Sequence, residues 1–226
     1  MPITPTPSAS AAPAVTWSWV PVRSLGARHR ERIAAHLASL GERDRYLRFG
    51  YQATDAQLCK YVDMLDFDHD EIFGIFNRRL ELIAMAHLAH SAAASPAKPA
   101  VSEFGVSVLA TARGRGFGRR LFEHAMLHAR NRGVQTLLIY ALSENTAMLK
   151  IARNAGATID RMGPESEALL KLPPDTLGSH MGEMLEQQAA ELDYRFKRHA
   201  RQVNSLLNGF ADVRAAAGNA APVTKE

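Results

Sequence analysis

Eight residues near the middle of the chain, Arg113-Gly114-Arg115-Gly116-Phe117-Gly118-Arg119-Arg120, constrain its fold more than any other stretch. Ahead of them Phe104, Val106 and Val108 alternate with Glu103, Gly105 and Ser107, the period-2 pattern of a strand. Behind them Phe117, Leu121, Phe122, Ala125, Met126 and Ala129 recur at helical spacing, and Gly133 stands where a left-handed C-cap belongs. The segment reads strand, turn, helix. Its glycines let the backbone approach a ligand closely, and the free N–H groups of the helix's first turn point outward with partial positive charge. Such a turn is a cradle for an anion, most naturally a phosphate, although glycine-arginine runs also occur in plain surface turns.

Two common phosphate motifs are excluded. A P-loop needs Gly-x-x-x-x-Gly-Lys-Ser/Thr, and no lysine followed by a hydroxyl residue stands here. A dinucleotide fingerprint needs Gly-x-Gly-x-x-Gly, but its last glycine falls on Arg119 counting from Gly114 and on Leu121 counting from Gly116. The pattern that fits is Arg/Gln-x-x-Gly-x-Gly/Ala, spelled Arg113, Gly116, Gly118. It resembles the pyrophosphate loop of the GNAT acyltransferases, which bind acetyl-CoA. Further on, Thr136 to Leu142 reads as a continuous apolar strand buried on both faces. Ser143-Glu144-Asn145 then offers a helix cap, and Met148, Leu149, Ala152 and Ala155 form an apolar stripe that Gly156 ends. The spacing of Asn145, Met148 and Gly156 is similar to the signature after the fifth GNAT strand, with Ala157 where that family has Phe. The resemblance covers about residues 16 to 173. It implies an α+β fold of α/β/α layers, with a mixed central sheet splayed between its fourth and fifth strands.

Composition sets the remaining bounds. With 226 residues, 46% of them hydrophobic, the chain can bury one full core with an extension to spare. A net charge of +4 suits an anionic ligand but, with the basic residues dispersed, does not by itself argue for nucleic acid, and no nucleic-acid partner is expected. The single cysteine, Cys59, excludes an internal disulfide and a cysteine zinc site, and its apolar helical pattern predicts buried filler. No run is long and apolar enough for a membrane span and no signal peptide is apparent, which predicts a cytoplasmic protein with no membrane partner.

Residues 1–15 read as a disordered Pro/Ala/Ser/Thr tail, followed by a first strand over Trp17 to Val22 and a helix over Ala27 to Leu40. In Gly41 to Gly50, Arg45, Tyr46, Arg48 and Phe49 interleave cations with aromatics, a patch too short and isolated to bind nucleic acid. It resembles the segment beside the acceptor entrance in the Pat-type protein lysine acetyltransferases, one GNAT branch. Thr54 or Asp55 caps a helix through Leu65 whose inner face is Leu58, Tyr61, Val62 and Leu65. Asp66 to Glu71 lacks the glycine and final glutamate of a calcium loop and predicts a solvated turn. Ile72 to Phe76 and Leu80 to Leu88 predict a hairpin with His87 and His90 at its far end, followed by a Ser91 to Ala100 loop. Neither that histidine pair nor His124 with His128 has a third ligand in sight, so no metal is expected. Thr158 to Arg161 and Glu167 to Leu172 form a last hairpin. Beyond Pro173-Pro174 a helical extension over 174–217 carries a stripe including Met181, Leu185, Ala189 and Leu192, which either packs back on the core or makes a homodimer, and residues 218–226 fray.

Acyl transfer to an amine needs a base, since an ammonium has no lone pair. Glu103, in Ser102-Glu103-Phe104-Gly105-Val106, is the candidate, because that segment resembles the one carrying the general base in Pat-type enzymes; its neighbours are expected to be apolar. The resemblance implies that Val106, Ser107 and Val108 hold the pantetheine arm and the thioester carbonyl by backbone groups. It gives the pyrophosphate to Arg113 through Arg120, and the side chain of Asn145 to the CoA arm. The tyrosine that many members use as general acid falls at Ala152, which leaves the thiolate to water or another group, with Tyr140 and Ser143 the side chains to consider. The resulting expectation is transfer of an acetyl group from acetyl-CoA to a primary amine in a ternary complex. A protein lysine is the first choice of acceptor, a small-molecule amine the second, and an acyl-CoA-binding regulatory module without turnover the third.

Overall fold

The computed structural model describes residues 21–91 and 100–174, together with 184, 188–191 and 193–194. The expected N-terminal tail, residues 92–99 of the predicted loop, most of the C-terminal extension and the 218–226 end lie outside the described residues. Among the described residues seven strands form one sheet: β1 (Arg23–Leu25), β2 (Glu71–Phe76), β3 (Leu82–His90), β4 (Val101–Val108), β5 (Thr136–Leu142), β6 (Thr158–Met162) and β7 (Glu165–Lys171). Their order is β1-β2-β3-β4-β5-β7-β6, and β4 with β5 is the parallel pair in an otherwise antiparallel sheet. Residues 17–20 of the expected first strand lie outside the described residues, and among the described ones β1 is Arg23–Leu25. Pro21 has no N–H for a ladder, and pairing with β2 begins at Arg23, opposite Gly74.

Helices cover both faces. α1 (Arg30–Ala38), α2 (Glu42–Phe49) and α3 (Asp55–Asp63) lie on one side, where Ile33, Leu37, Leu58 and Val62 pack on Ile72, Phe76 and Met85. α4 (Phe117–Asn131) and α5 (Thr146–Asn154) lie on the other, where Leu121, Phe122, Leu149 and Ala152 pack on Phe73, Ala86, Phe104 and Ile139. This is the α/β/α layering expected from sequence. α3 starts at a capping box: the Thr54 side chain accepts from the Gln57 N–H at 3.4 Å, and Gln57 Oε1 accepts from the Thr54 N–H at 2.9 Å. Because Leu58 and Val62 define the inward face of α3, Cys59, one residue round the helix, points outward and is exposed rather than buried.

The turn before β2 is solvated for half its length. Asp66 Oδ1 accepts the N–H groups of Asp68 and His69 as expected, but Asp70 and Glu71 turn inward. Glu71 is 13% exposed; its Oε1 accepts from His128 Nδ1 at 2.9 Å and from the Arg132 guanidinium at 3.3 Å, and its Oε2 meets His90 Nε2 at 3.4 Å. Burial alone would push this carboxyl up. The hydrogen bonds from His128 and His90, and the field of His128 and Arg132, outweigh it and bring Glu71 down to about 2. His124 and His128 lie edge-on to Phe73, with centroids 4.7 Å away in both cases. These histidines are core side chains, and among the described residues no group of three or more His, Cys, Asp or Glu is placed to hold a metal ion.

The described part of the C-terminal extension is helical and folds back onto β1. Ala190 is buried, Glu191 pairs with the buried Arg23 at 2.7 Å, and the Arg23 guanidinium lies 3.7 Å from the centre of the Tyr194 ring. Among the described residues no helix is long and apolar enough to cross a membrane.

Candidate active site

β4 and β5 pair over three residues, Val101 with Thr136, Ser102 with Leu137 and Glu103 with Leu138, and then part. The direction of the β4 backbone follows from its antiparallel partner. Ser91 N–H bonds Val101 O at 3.1 Å and Leu109 N–H bonds Ile83 O at 3.0 Å, so the odd-numbered residues of β4 bond β3. The even-numbered residues, Phe104, Val106 and Val108, therefore aim their N–H and C=O groups into the gap left by β5. The backbone groups of Val106 and Val108, expected on this strand, are open to that gap. Ser107 is not: its backbone faces β3, and its hydroxyl is buried against His36 Nε2 at 2.8 Å. Burial takes that imidazole down to about 4.

The glycine turn follows β4 as predicted. Gly114 and Gly116 have φ of +74° and +76°, the left-handed region that side chains avoid, and a Cβ on either would meet nothing within 4 Å. Gly116 is the N-cap of α4, and no side chain caps it, which leaves the first-turn N–H groups for a ligand. Gly118 lies under Ile151 and Val108, 3.4 and 3.8 Å from where its Cβ would be. The arginines divide. Arg113 is bound to Asp44 of α2, which fixes the turn to the opposite layer, and Arg119 pairs with Glu123 at 2.7 Å. Arg115 is exposed, and Arg120 is half-buried in the first turn of α4.

Between the parting strands lies a cavity of about 390 Å³, walled by α2, β4, β5, the start of α5 and β7. Its existence corrects the expectation that β5 is buried on both faces. Leu137, Ile139 and Ala141 enter the core under α4 and α5, whereas Tyr140 faces the gap and is 59% exposed, because β4 has turned away from that side. Glu103 lines the cavity and is exposed, and its charge acts on Tyr61, His87 and Tyr140. Its surroundings in the cavity are mixed: Phe104, Val106 and Phe49 line it as apolar neighbours, and Arg48, Tyr61 and Tyr140 as polar ones. Tyr140 is held up, by burial and then by Glu167 and Glu103, so its hydroxyl keeps its proton. Ser143 is committed elsewhere, bonded to Gly163 O, Glu165 O and Ser166 Oγ at the last hairpin. Ala152 is fully buried, so its position serves packing.

Asn145 lines the same cavity, but its side chain acts first as a bracket. Oδ1 caps α5 by accepting from the Met148 N–H at 3.2 Å, and Nδ2 donates to Leu47 O of α2 at 3.3 Å. Sequence reasoning missed the residues behind Glu103. Arg48 lies against the Gly105 backbone, where a Cβ would come within 2.4 Å of its guanidinium, and it donates to the Tyr61 hydroxyl at 3.1 Å. The Tyr61 hydroxyl also meets His87 Nδ1 at 2.8 Å, and His87 Nε2 meets Asp70 Oδ2 at 2.9 Å. The available signal was a lone histidine in the otherwise apolar strand Leu82–Leu88, which needs a polar partner once buried.

An acyl-CoA suits these residues. The turn gives a phosphate uncapped N–H groups with open space above the glycines, and the gap gives an amide-bearing arm the unpaired edge of β4. Comparison with curated proteins gives no match. Among solved structures the fold is similar to the GNAT domain of the Streptomyces lividans protein PAT, at 22% identity and a TM-score of 0.57, over 67% of this chain and 89% of that one. It is also similar to yncA of Salmonella typhimurium, solved with its cofactor acetyl-CoA, at 14% identity and a TM-score of 0.53 over 70% and 97%. An acetyltransferase of the GNAT family from Streptococcus pneumoniae matches at 11% and 0.53 over 69% and 100%. The model of the acetyltransferase (GNAT) family matches residues 34–157, more than half of the chain, and the chain belongs to that family of acetyl-CoA-using acetyltransferases.

Proposed function

We propose that the protein acetylates a primary amine, with a protein lysine as acceptor, and that it works in the cytoplasm. The observation that carries this reading is the gap between β4 and β5, which leads from the glycine turn past the N–H groups of Val106 and Val108 to Glu103. The acceptor side is lined by Leu47, Arg48 and Phe49, the segment that resembles the Pat-type enzymes. Bound acetyl-CoA supplies an acetyl thioester. The first-turn amides of α4, from Phe117 on, together with Gly114, Arg115 and Gly116, would hold its pyrophosphate, and Arg113 keeps the turn in place through Asp44. The N–H groups of Val106 and Val108 would hold its arm and stabilise the charge that develops on the carbonyl oxygen. Glu103 takes a proton from the acceptor ammonium, and Tyr140, a protonated phenol in the cavity, is the donor to the leaving sulfur.

A small cationic amine is the second reading, favoured by Glu165 and Glu167, which add acidic groups to the cavity wall. Titration of acetyl-CoA into the full chain, with Gly116→Glu as control, tests the donor site. Glutamate at a φ of +76° strains the turn and sets a carboxylate against the phosphate, so binding is expected in the wild type and absent in the variant. CoA release with a lysine peptide but not with spermidine supports the protein acceptor. The reverse supports the small amine. Tight binding with no CoA release on either would leave a regulatory module and refute the enzyme.

A further inference from the structure

Conversion of an alkylammonium to an amide removes two protons from nitrogen, one before attack and one as the new C–N bond forms. Glu103 can hold one. The leaving sulfur finally takes one, and the other goes to solvent. A second acceptor next to Glu103 would let both leave the nitrogen without waiting for the first to be discharged.

The residues for this are in place. Tyr61, on α3, lines the cavity with Glu103. Behind it the hydrogen bonds run Tyr61 hydroxyl to His87 Nδ1 at 2.8 Å and His87 Nε2 to Asp70 Oδ2 at 2.9 Å. Chemistry assigns every proton in the chain. Asp70 is a carboxylate fixed by the His90 N–H at 3.0 Å and accepts, so His87 Nε2 carries the hydrogen and Nδ1 is a free base. Nδ1 accepts from the Tyr61 O–H, while the Tyr61 oxygen accepts from Arg48 at 3.1 Å and keeps a lone pair for the substrate. The chain ends near the surface, with the side chains of His87 and Asp70 13% and 15% exposed. Four ionisable groups face His87: Asp70 ahead of β2, Arg48 from α2, Tyr61 from α3 and Glu103 from β4. Burial, with Arg48, keeps the imidazole neutral, and burial keeps Tyr61 a phenol, the states in which the chain can pass a proton inward.

We propose that Tyr61, His87 and Asp70 are a proton relay that takes the second proton of the acceptor amine. This rests on the acetyl-transfer reading above. The first N–H proton goes to the Glu103 carboxylate and the freed lone pair forms the C–N bond. As the C–S pair departs on sulfur, the second N–H proton passes to the Tyr61 oxygen while the Tyr61 proton passes to His87 Nδ1. The resulting imidazolium is held by the Asp70 carboxylate, 2.9 Å from Nε2. Tyr140 protonates the thiolate and is restored by the proton on Glu103, and the imidazolium releases its proton to water through the cavity. Tyr61 touches the substrate, and His87 and Asp70 act through it.

The test follows CoA release by the full chain with a lysine peptide and spermidine as acceptors, in wild type, Tyr61→Phe, His87→Gln and Asp70→Asn. Acetyl-CoA calorimetry and thermal unfolding run on each. The expected result is a kcat lowered about tenfold to a hundredfold in Tyr61→Phe and His87→Gln, with acetyl-CoA affinity within twofold of wild type. Asp70→Asn, which removes the charge favouring the imidazolium, is expected to move the acid limb of the kcat profile to lower pH, a change that lost packing would not produce. His87→Ala, with a hole where the ring was, is expected to regain turnover with added imidazole. A Tyr61→Phe enzyme within twofold of wild type from pH 6 to 9 overturns the relay even where His87→Gln is impaired, since the damage would then be structural. A wild type that binds no acetyl-CoA or turns over neither acceptor refutes the transfer reading itself and the relay with it.

Discussion

The carboxylate of Glu71 should be a large single contribution to the stability of this fold at neutral pH. It sits against β3 and α4 with His90, His128 and Arg132 as its donors. Folding lowers it from 4.5 to about 2. At 1.36 kcal/mol for each unit, a shift of that size corresponds to about 3 kcal/mol, an upper figure because the charges are partly screened. A folded-state value below the unfolded one means the stabilisation is complete above pH 4.5 and is lost as pH falls through 4.5 toward 2. Urea unfolding of wild type and Glu71→Gln at intervals from pH 7 to pH 3 measures it. His36, lowered to about 4 by burial, also weakens the fold as pH falls from 6.5, in both proteins alike, so the quantity that matters is their difference. That difference is expected to be about 2–3 kcal/mol at pH 7 and to shrink below pH 4.5. A Glu71→Gln protein within about 0.5 kcal/mol of wild type at pH 7, or a difference that does not change with pH, would refute the assignment of this carboxylate as the stabilising charge.

Three further perturbations separate core, site and extension. Leu121→Ala empties a fully buried position under the sheet and should cost about 2–5 kcal/mol in urea unfolding without changing acetyl-CoA affinity beyond what the lost folded fraction explains. Gly105→Ala places a Cβ within 2.4 Å of the Arg48 guanidinium, the far end of a flexible side chain. Its thermal midpoint should therefore move little while acetyl transfer falls, because Arg48 leaves Tyr61. Arg23→Met removes the Glu191 ion pair and the stack on Tyr194, and should speed amide exchange over residues 188–194 while leaving β3 and β4 protected.

What could be read from the sequence was local. The glycine turn declares itself because few residues but glycine accept a φ of +74° or +76°, and Asn145 because a cap is set by residues three positions apart. The fifth strand was misread because the apolar run Thr136–Leu142 says nothing about where its neighbour leaves it, and Tyr140 becomes exposed at the point where β4 departs. Cys59 was misplaced by a single step round α3. The relay and the Glu71 cluster were out of reach for a stronger reason. Asp70 and His87 are 17 residues apart and Tyr61 and His87 are 26 apart, and only the β2–β3 register, with Ile72 opposite His87, brings them together.

The short run of β4–β5 pairing also gives the protein a mechanical character. Four strands on one side and three on the other are stapled through Val101–Glu103 and Thr136–Leu138, with the Asn145 amide reaching across to α2 as a second clasp. A guest bearing amides of its own would bond the open edge of β4 where β5 has left it, and would fill the space between the two halves. Occupancy should accordingly be felt at β1, which contributes nothing to the cavity wall, as a more uniform resistance to unfolding. The donor substrate would thereby serve as a removable piece of the scaffold, and each turnover would loosen and re-tighten the enzyme along that seam.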